Sequence, residues 1–230
     1  MKRFYENAVP QDENGGFAVL LDDRRLKSPA KHDLILPTRG LADVVANEWQ
    51  EQGEEIVPAT MPMMQLSSTA IDRVLPDFDT VARDAAGYGM SDLLFYRADT
   101  PADLSMRQAE GWQPVVDWAE ARFSLRFTIT TGLMPVDQPP EAETAFLNAV
   151  SSLSAFELAS VHVMTTAMGS LLLALTVAEA RMDVATAFEL SRVDETHQQE
   201  LWGVDEEAEV RRKRLLNEMS DAERFLSLVR

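Results

Sequence analysis

The chain has 230 residues, of which 46% are hydrophobic and 26% charged, enough length and apolar content to bury a core as one large domain or two small ones. Thirty-eight acids against twenty-one bases give a net charge of −17, which argues against nucleic acid or an anionic membrane as partner and for a polypeptide with a basic or apolar surface. Cysteine is absent, so disulfides, thiolate catalysis and zinc–sulfur sites are excluded, and the composition suits a reducing cytoplasm.

The opening MKRFYENAVP has no apolar run, so no secretory signal is expected. Alternating residues then predict short strands at 3–9, 17–21, 24–26 and 33–36, punctuated by the turn formers Asn14-Gly15-Gly16 and Asp22-Asp23. Thr38 is placed to N-cap a helix carrying Leu41, Val45 and Trp49. Pro58 and Pro62 interrupt the chain, after which short helices are expected at 69–74 and 78–88 and a strand at 93–96.

From about residue 105 the pattern becomes helical. Ser105 with Gln108 and Ser154 with Glu157 have capping-box spacing, and Pro114 suits the first turn of a helix bearing Val115, Trp118 and Phe123. Residues 126–130 are strand-like and are expected to join the N-terminal sheet. Helices follow at 141–152, 155–179, 184–202 and 205–228, with Gly203 in the left-handed position between the last two and Asp205 as the next N-cap. The stretch 167–178 is apolar but too short to span a bilayer. The reading is α+β: an N-terminal α+β domain with short antiparallel strands over 1–100 and a mainly helical domain over 101–230.

Catalytic motifs are missing. The chain contains no GxxxxGK[ST], no GxGxxG and no GxSxG, so no phosphate loop or nucleophile elbow is expected. His162 lies in a helix rich in Met, Thr and Leu and reads as a hydrogen-bonded core histidine. Asp194 and His197, three apart, could ligate a metal with Glu195 or Glu200 nearby, but the motif occurs once and lacks the second half that di-metal bundles use.

A different feature stands out at 184–202. At 100° per residue Val184, Phe188 and Trp202 fall on one line, Ala187, Leu190 and Leu201 flank it, and Ser191, Asp194, Glu195 and Gln198 lie between. Unpaired buried carboxylates are costly, so either Arg181, Arg122 or Arg126 pairs with these acids or the face awaits a partner. The following helix opens with acids and continues with bases, which suits the helix dipole and the i,i+4 pairs Glu207–Arg211 and Glu209–Lys213. The methionines at 61, 63, 64, 164, 168 and 182 read as core or as adaptable binding surface.

The order of several short motifs resembles the assembly chaperone family that escorts the α subunit of the F-type ATP synthase catalytic head. The resemblance runs through Arg3-Phe4-Tyr5, the segment from Leu21-Asp22-Asp23-Arg24 to Lys27-Ser28-Pro29, Leu36-Pro37-Thr38, Glu48-Trp49 with Gln52, and Met61-Pro62. It continues through Thr69-Ala70-Ile71-Asp72, Ser91-Asp92-Leu93-Leu94-Phe95-Tyr96-Arg97, the Trp112, Pro114, Trp118 spacing, Asp194-Glu195, Trp202-Gly203 and Glu206-Glu207-Ala208-Glu209. Asp23, Ser28 and Met63-Met64 depart from the family pattern. The resemblance implies a chaperone rather than an enzyme. Its client would be newly made α subunit, whose β-contacting surface it shields, and it would need no cofactor. Asp194, Glu195, Gln198, Glu200, Trp202 and Glu206 are the expected partner-binding residues. A monomer in the bacterial cytoplasm is expected, with mitochondrial eukaryotic relatives. The alternatives are a carboxylate-metal hydrolase using Asp194, His197 and Glu200, or a broad-specificity holdase.

Overall fold

In the computed structural model, which describes residues 1–132 and 134–230, Ala8–Glu13 (β1) and Gly16–Leu21 (β2) form an antiparallel hairpin closed by Asn14 and Gly15. Gly15 has φ +90°, the left-handed conformation that such a two-residue turn demands. Arg24–Arg25 (β3) adds a short third strand beside β2, and Leu36 bridges to Phe17. A Cβ on Gly16 would lie 2.4 Å from the Leu36 carbonyl oxygen, so this bridge requires glycine there.

The first strand lies later than expected from residues 3–9. That earlier segment is held by a side chain instead: the Arg3 guanidinium donates to the carbonyls of Tyr5, Glu6, Gln50 and Gln52 at 3.0, 2.8, 3.1 and 2.5 Å. Pro10 within β1 is tolerated because β1 is an edge strand.

The chain divides into two compact units that do not follow a linear cut. The first comprises Met1–Phe78, Leu153–Ser160 and Asp221–Arg230. In it, helix Arg39–Gln50 (α1) is capped by Thr38, which accepts from the Leu41 amide at 3.2 Å, as its sequence position predicts. Leu41, Ala42, Val45, Ala46 and Trp49 form the buried stripe of α1 in a core that includes Val19, Leu21, Leu34 and Leu36. Glu48 is also buried. Its two oxygens accept the Met63 and Met64 amides at 2.8 Å each, capping the next helix, Pro62–Thr69 (α2). The helix then passes into a π-helical turn, Ala70–Val74. Phe225 joins this core from the C-terminal segment and stacks on Phe156.

The second unit comprises Asp79–Ser152 and Val161–Ser220. Its long helix, Ala102–Phe123 (α4), follows Phe78–Met90 (α3). Pro114 sits inside α4, not in its first turn, and Ser105 forms no capping box because the helix has already begun at Ala102. Buried Val115, Val116 and Ala119 carry the helix past the proline. Trp112 is 1% exposed and its indole N–H donates to the Leu190 carbonyl at 2.8 Å.

Leu93–Phe95 is a single 3-10 turn, not a strand. Tyr96–Arg97 (β4) pairs in parallel with Thr130–Thr131 (β5), so the 126–130 segment makes its own two-stranded sheet rather than extending the N-terminal one. Pro140–Ser151 (α5) packs Phe146 in a cluster with Phe123 and Phe127 at ring separations of 5.2 and 5.6 Å. Helix Ala155–Met168 (α6) opens with the expected capping box: the Ser154 amide donates to Glu157 at 2.9 Å, and the Glu157 amide to Ser154 Oγ at 3.2 Å.

The helix expected at 155–179 breaks at Gly169, φ +67°, and restarts as Leu171–Ala178 (α7), every residue of which is buried. The methionine alternatives resolve largely toward core, since Met61, Met63, Met64, Met164 and Met168 are all buried. Among the described residues no helix is long and apolar enough to cross a membrane.

Candidate partner-binding surface

The continuous helix expected over 184–202 is two helices, Val184–Ser191 (α8) and Val193–Trp202 (α9), separated at Arg192, φ −114° and ψ 16°. Ser191 turns its hydroxyl onto the Phe188 carbonyl at 2.7 Å, and Arg192 reaches the Ala167 carbonyl at 2.5 Å. The break rotates α9 relative to α8, so the single apolar line does not exist. Phe188 is fully buried, whereas Trp202 is 86% exposed. The guanidiniums of Arg192 and Arg212 lie over the Phe188 ring, 5.3 and 6.0 Å from its centroid.

The acids of this segment go to separate partners. Asp194 accepts from Gln108 Nε2 at 2.6 Å, Glu195 pairs with Arg192 at 2.8 Å, and Glu200 pairs with Arg107 at 2.7 Å. None of these is a cation proposed from the sequence: Arg122 binds Glu179 at 2.5 Å and Arg126 binds Glu120. Gln198 and Glu206 are exposed. The pairs expected along the last helix, Glu206–Val229 (α10), do not close among the described residues; its Arg212 reaches Glu189 on α8 and Thr196 on α9 instead.

The histidines are engaged as well. His197, 4% exposed, faces Asp103 at 3.0 Å, and the hydrogen bond holds the Asp103 carboxyl below the ordinary carboxylate range. His162 is half-buried and meets Asp84 at 2.7 Å, so it is hydrogen-bonded but not a core residue. Asp194, His197 and Glu200 thus turn to three different neighbours. Among the described residues no three His, Asp or Glu side chains are grouped to hold a metal ion.

What the arrangement does offer is an apolar tip. At the end of α9 and the start of α10, Leu201, Trp202, Val204 and Val210 are 63%, 86%, 65% and 70% exposed. Exposed Glu195, Gln198, Glu200, Asp205, Glu206 and Glu207 surround them in sequence. Gly203, at φ +92°, turns the chain between the helices, and Asp205 accepts the Glu207 amide at 3.0 Å. Beside the tip lies a cavity of 690 Å³ bounded by Arg192, Glu195, Asp205, Glu207, Arg211 and Arg212. Exposed apolar groups with acids beside them in sequence make this segment a candidate interaction surface. Trp202 is legible in the sequence whereas Val204 and Val210 are not, because only the loss of packing partners identifies an isolated valine.

Comparison with known proteins agrees with the motif order. The model of the ATP12 chaperone protein family matches residues 2–120, just over half of the chain. The chain belongs to the ATP12 chaperone family. The crystal structure of Atp12 from Paracoccus denitrificans superposes with a TM-score of 0.96 at 45% identity, covering 100% of this chain and 98% of that one. A structure from Agrobacterium tumefaciens is 40% identical with a TM-score of 0.94, covering 100% of this chain and 86% of that one. The mitochondrial protein atp12 of Schizosaccharomyces pombe is 23% identical over 236 residues, 96% of this chain and 80% of its own. Membership carries the coarse function, a chaperone of ATP synthase assembly, and the α+β architecture is that of the Atp12 structures.

Proposed function

We propose that this ATP12-family chain binds newly made α subunit of the F-type ATP synthase catalytic head through the α9–α10 tip and shields its β-contacting surface until assembly. The supporting observation is the exposed set Leu201, Trp202, Val204 and Val210 within a rim of acids. A large exposed aromatic supplies contact area with little side-chain entropy to lose, and the acids supply register and discrimination. In this proposal Glu195, Gln198, Glu200, Trp202 and Glu206 touch the client, while Asp194 acts by holding α9 through Gln108. The client surface presents Arg or Lys opposite the acids, since a buried carboxylate without a counter-charge is unfavourable. The chain works by binding rather than catalysis, as a monomer in the bacterial cytoplasm.

The test is co-purification with isolated α subunit, with β subunit and an unrelated unfolded protein as controls. A stoichiometric complex with α alone supports the proposal. Equal capture of all three would make the chain a general holdase, and no complex with α would overturn the client assignment.

A further inference from the structure

The first unit holds a second cavity, of 730 Å³, whose apolar walls are Trp49, Ile56, Pro58, Met61 and Met64. Three independent features of its lining are unexplained by folding. Trp49 and Ser68 are each 8% exposed, and neither Trp49 Nε1 nor Ser68 Oγ finds a hydrogen-bond partner among the described residues. A buried polar group left unpaired is costly, and native structures keep few of them without a reason. The wall leading from Ser68 to Arg73 runs into the π-helical turn Ala70–Val74, a conformation rare in proteins and frequent at functional sites. Finally, the mouth carries an unanswered cation in a chain of net charge −17. Lys27 and Arg73 line it; Lys27 pairs with Asp33 at 3.2 Å, whereas Arg73 is exposed with no partner among the described residues.

The acid at this mouth is already committed. Asp72 accepts from Ser28 Oγ at 2.5 Å and from the Ala30 amide at 3.0 Å, and it meets His32 Nδ1 at 2.8 Å. These bonds staple the 28–32 turn.

We propose that this cavity is a second polypeptide-binding site, which takes an apolar side chain of an extended segment flanked by acidic residues. Methionine walls adapt to different apolar side chains. Trp49 Nε1 and Ser68 Oγ are sealed from solvent in the free chain, and movement of the adaptable methionine wall on binding opens them to main-chain carbonyls of the segment. A flanking carboxylate answers Arg73. The site is separate from the α9–α10 tip and stands whether or not the tip binds α subunit.

The experiment is fluorescence anisotropy of the full chain with three acetylated, dye-labelled decapeptides that share a Leu-Phe core and are flanked by glutamate, serine or lysine. A chain this acidic, if it bound only nonspecifically, would favour the lysine peptide. The expected result is the reverse: at least tenfold tighter binding of the glutamate peptide. Arg73→Glu should erase that preference, and Ala30→Trp, at an exposed position on the mouth, should abolish binding. Glu143→Lys, at an exposed position of α5 in the other unit, should leave it unchanged. No saturable binding of the glutamate peptide, binding of it by Arg73→Glu as tight as by wild type, or wild-type binding of it by folded Ala30→Trp would each overturn the proposal.

Discussion

Gln108 and Asp194, 86 residues apart in sequence, meet through a 2.6 Å hydrogen bond, while the other end of the same Gln108 amide accepts the Ala98 N–H at 2.7 Å. Gln108 is 1% exposed, so its NH2 group has little access to water if Asp194 is removed. Asp194→Ala should therefore lower stability by about 1–3 kcal/mol, whereas Asp194→Asn, which keeps an acceptor oxygen, should recover most of it. Urea unfolding of the two variants decides this. Equal midpoints for Asp194→Ala and wild type would show that the contact does not hold α9.

Trp202 and Glu206 should behave in the opposite way. Both are exposed, so Trp202→Ala and Glu206→Lys should leave the melting temperature within error of wild type. If the tip docks α subunit, Trp202→Ala should weaken binding by about 30-fold or more, the loss of an aromatic anchor worth about 2 kcal/mol. Glu206→Lys should act mainly on the association rate and flatten its salt dependence. Surface plasmon resonance over a salt series measures both effects, and unchanged rates for both variants would move the docking site elsewhere.

Asp92 makes stability depend on pH in an uncommon direction. Burial pushes its carboxyl up to about 6, against the hydrogen bonds it accepts from the Leu172 amide, Ser170 and the Leu94 amide. A raised folded-state value means that the protonated form favours folding. The contribution is full below the unfolded value near 3.8 and is lost as pH rises through about 6. The part of this shift that falls between pH 4 and 7 corresponds to about 2 kcal/mol. Asp92→Asn cannot titrate, so the stability of wild type relative to this variant should fall by about that amount across the window. Denaturant midpoints at pH 4, 5, 6 and 7 measure it, and parallel curves would refute it.

Gly89 in α3 carries the tightest steric constraint beside the Phe123–Phe146 cluster. A Cβ there would lie 2.6, 2.8 and 2.9 Å from three ring atoms of Phe146, which is itself fully buried. A ring wedged against two others cannot swing aside as a flexible chain end can. Gly89→Ala should destabilise by about 1–3 kcal/mol despite the better helix propensity of alanine. The companion Gly87→Ala, with open space around its Cβ, should be neutral or slightly stabilising. Thermal melts that rank the two the other way would contradict the packing described here.

Local rules succeeded wherever the interacting groups lie within a few residues. Thr38, Ser154 with Glu157, and the Asn14–Gly15 turn need only their immediate neighbours, and each stands where the sequence places it. The same rules failed at Ser105, at Pro114 and at β1, where the deciding partners are distant. Trp112 is anchored to Leu190 across 78 residues, and residues 3–7 are held by the Arg3 side chain on the end of α1.

The candidate surface shows the same division. Composition, charge and motif order by themselves determined an acidic, cysteine-free α+β chain of the ATP12 family and pointed to the segment from Asp194 to Glu206. Which of those residues meet water was decided only by tertiary structure. Arg192 reaches Ala167, 25 residues back, Gln108 captures Asp194, and Arg212 ties α10 to Glu189. These long-range contacts accompany the break at Arg192 that buries Phe188 and leaves Trp202 in solvent. A hydrophobic period assumes one unbroken helix axis, and no local pattern encodes where a distant carbonyl or amide interrupts it.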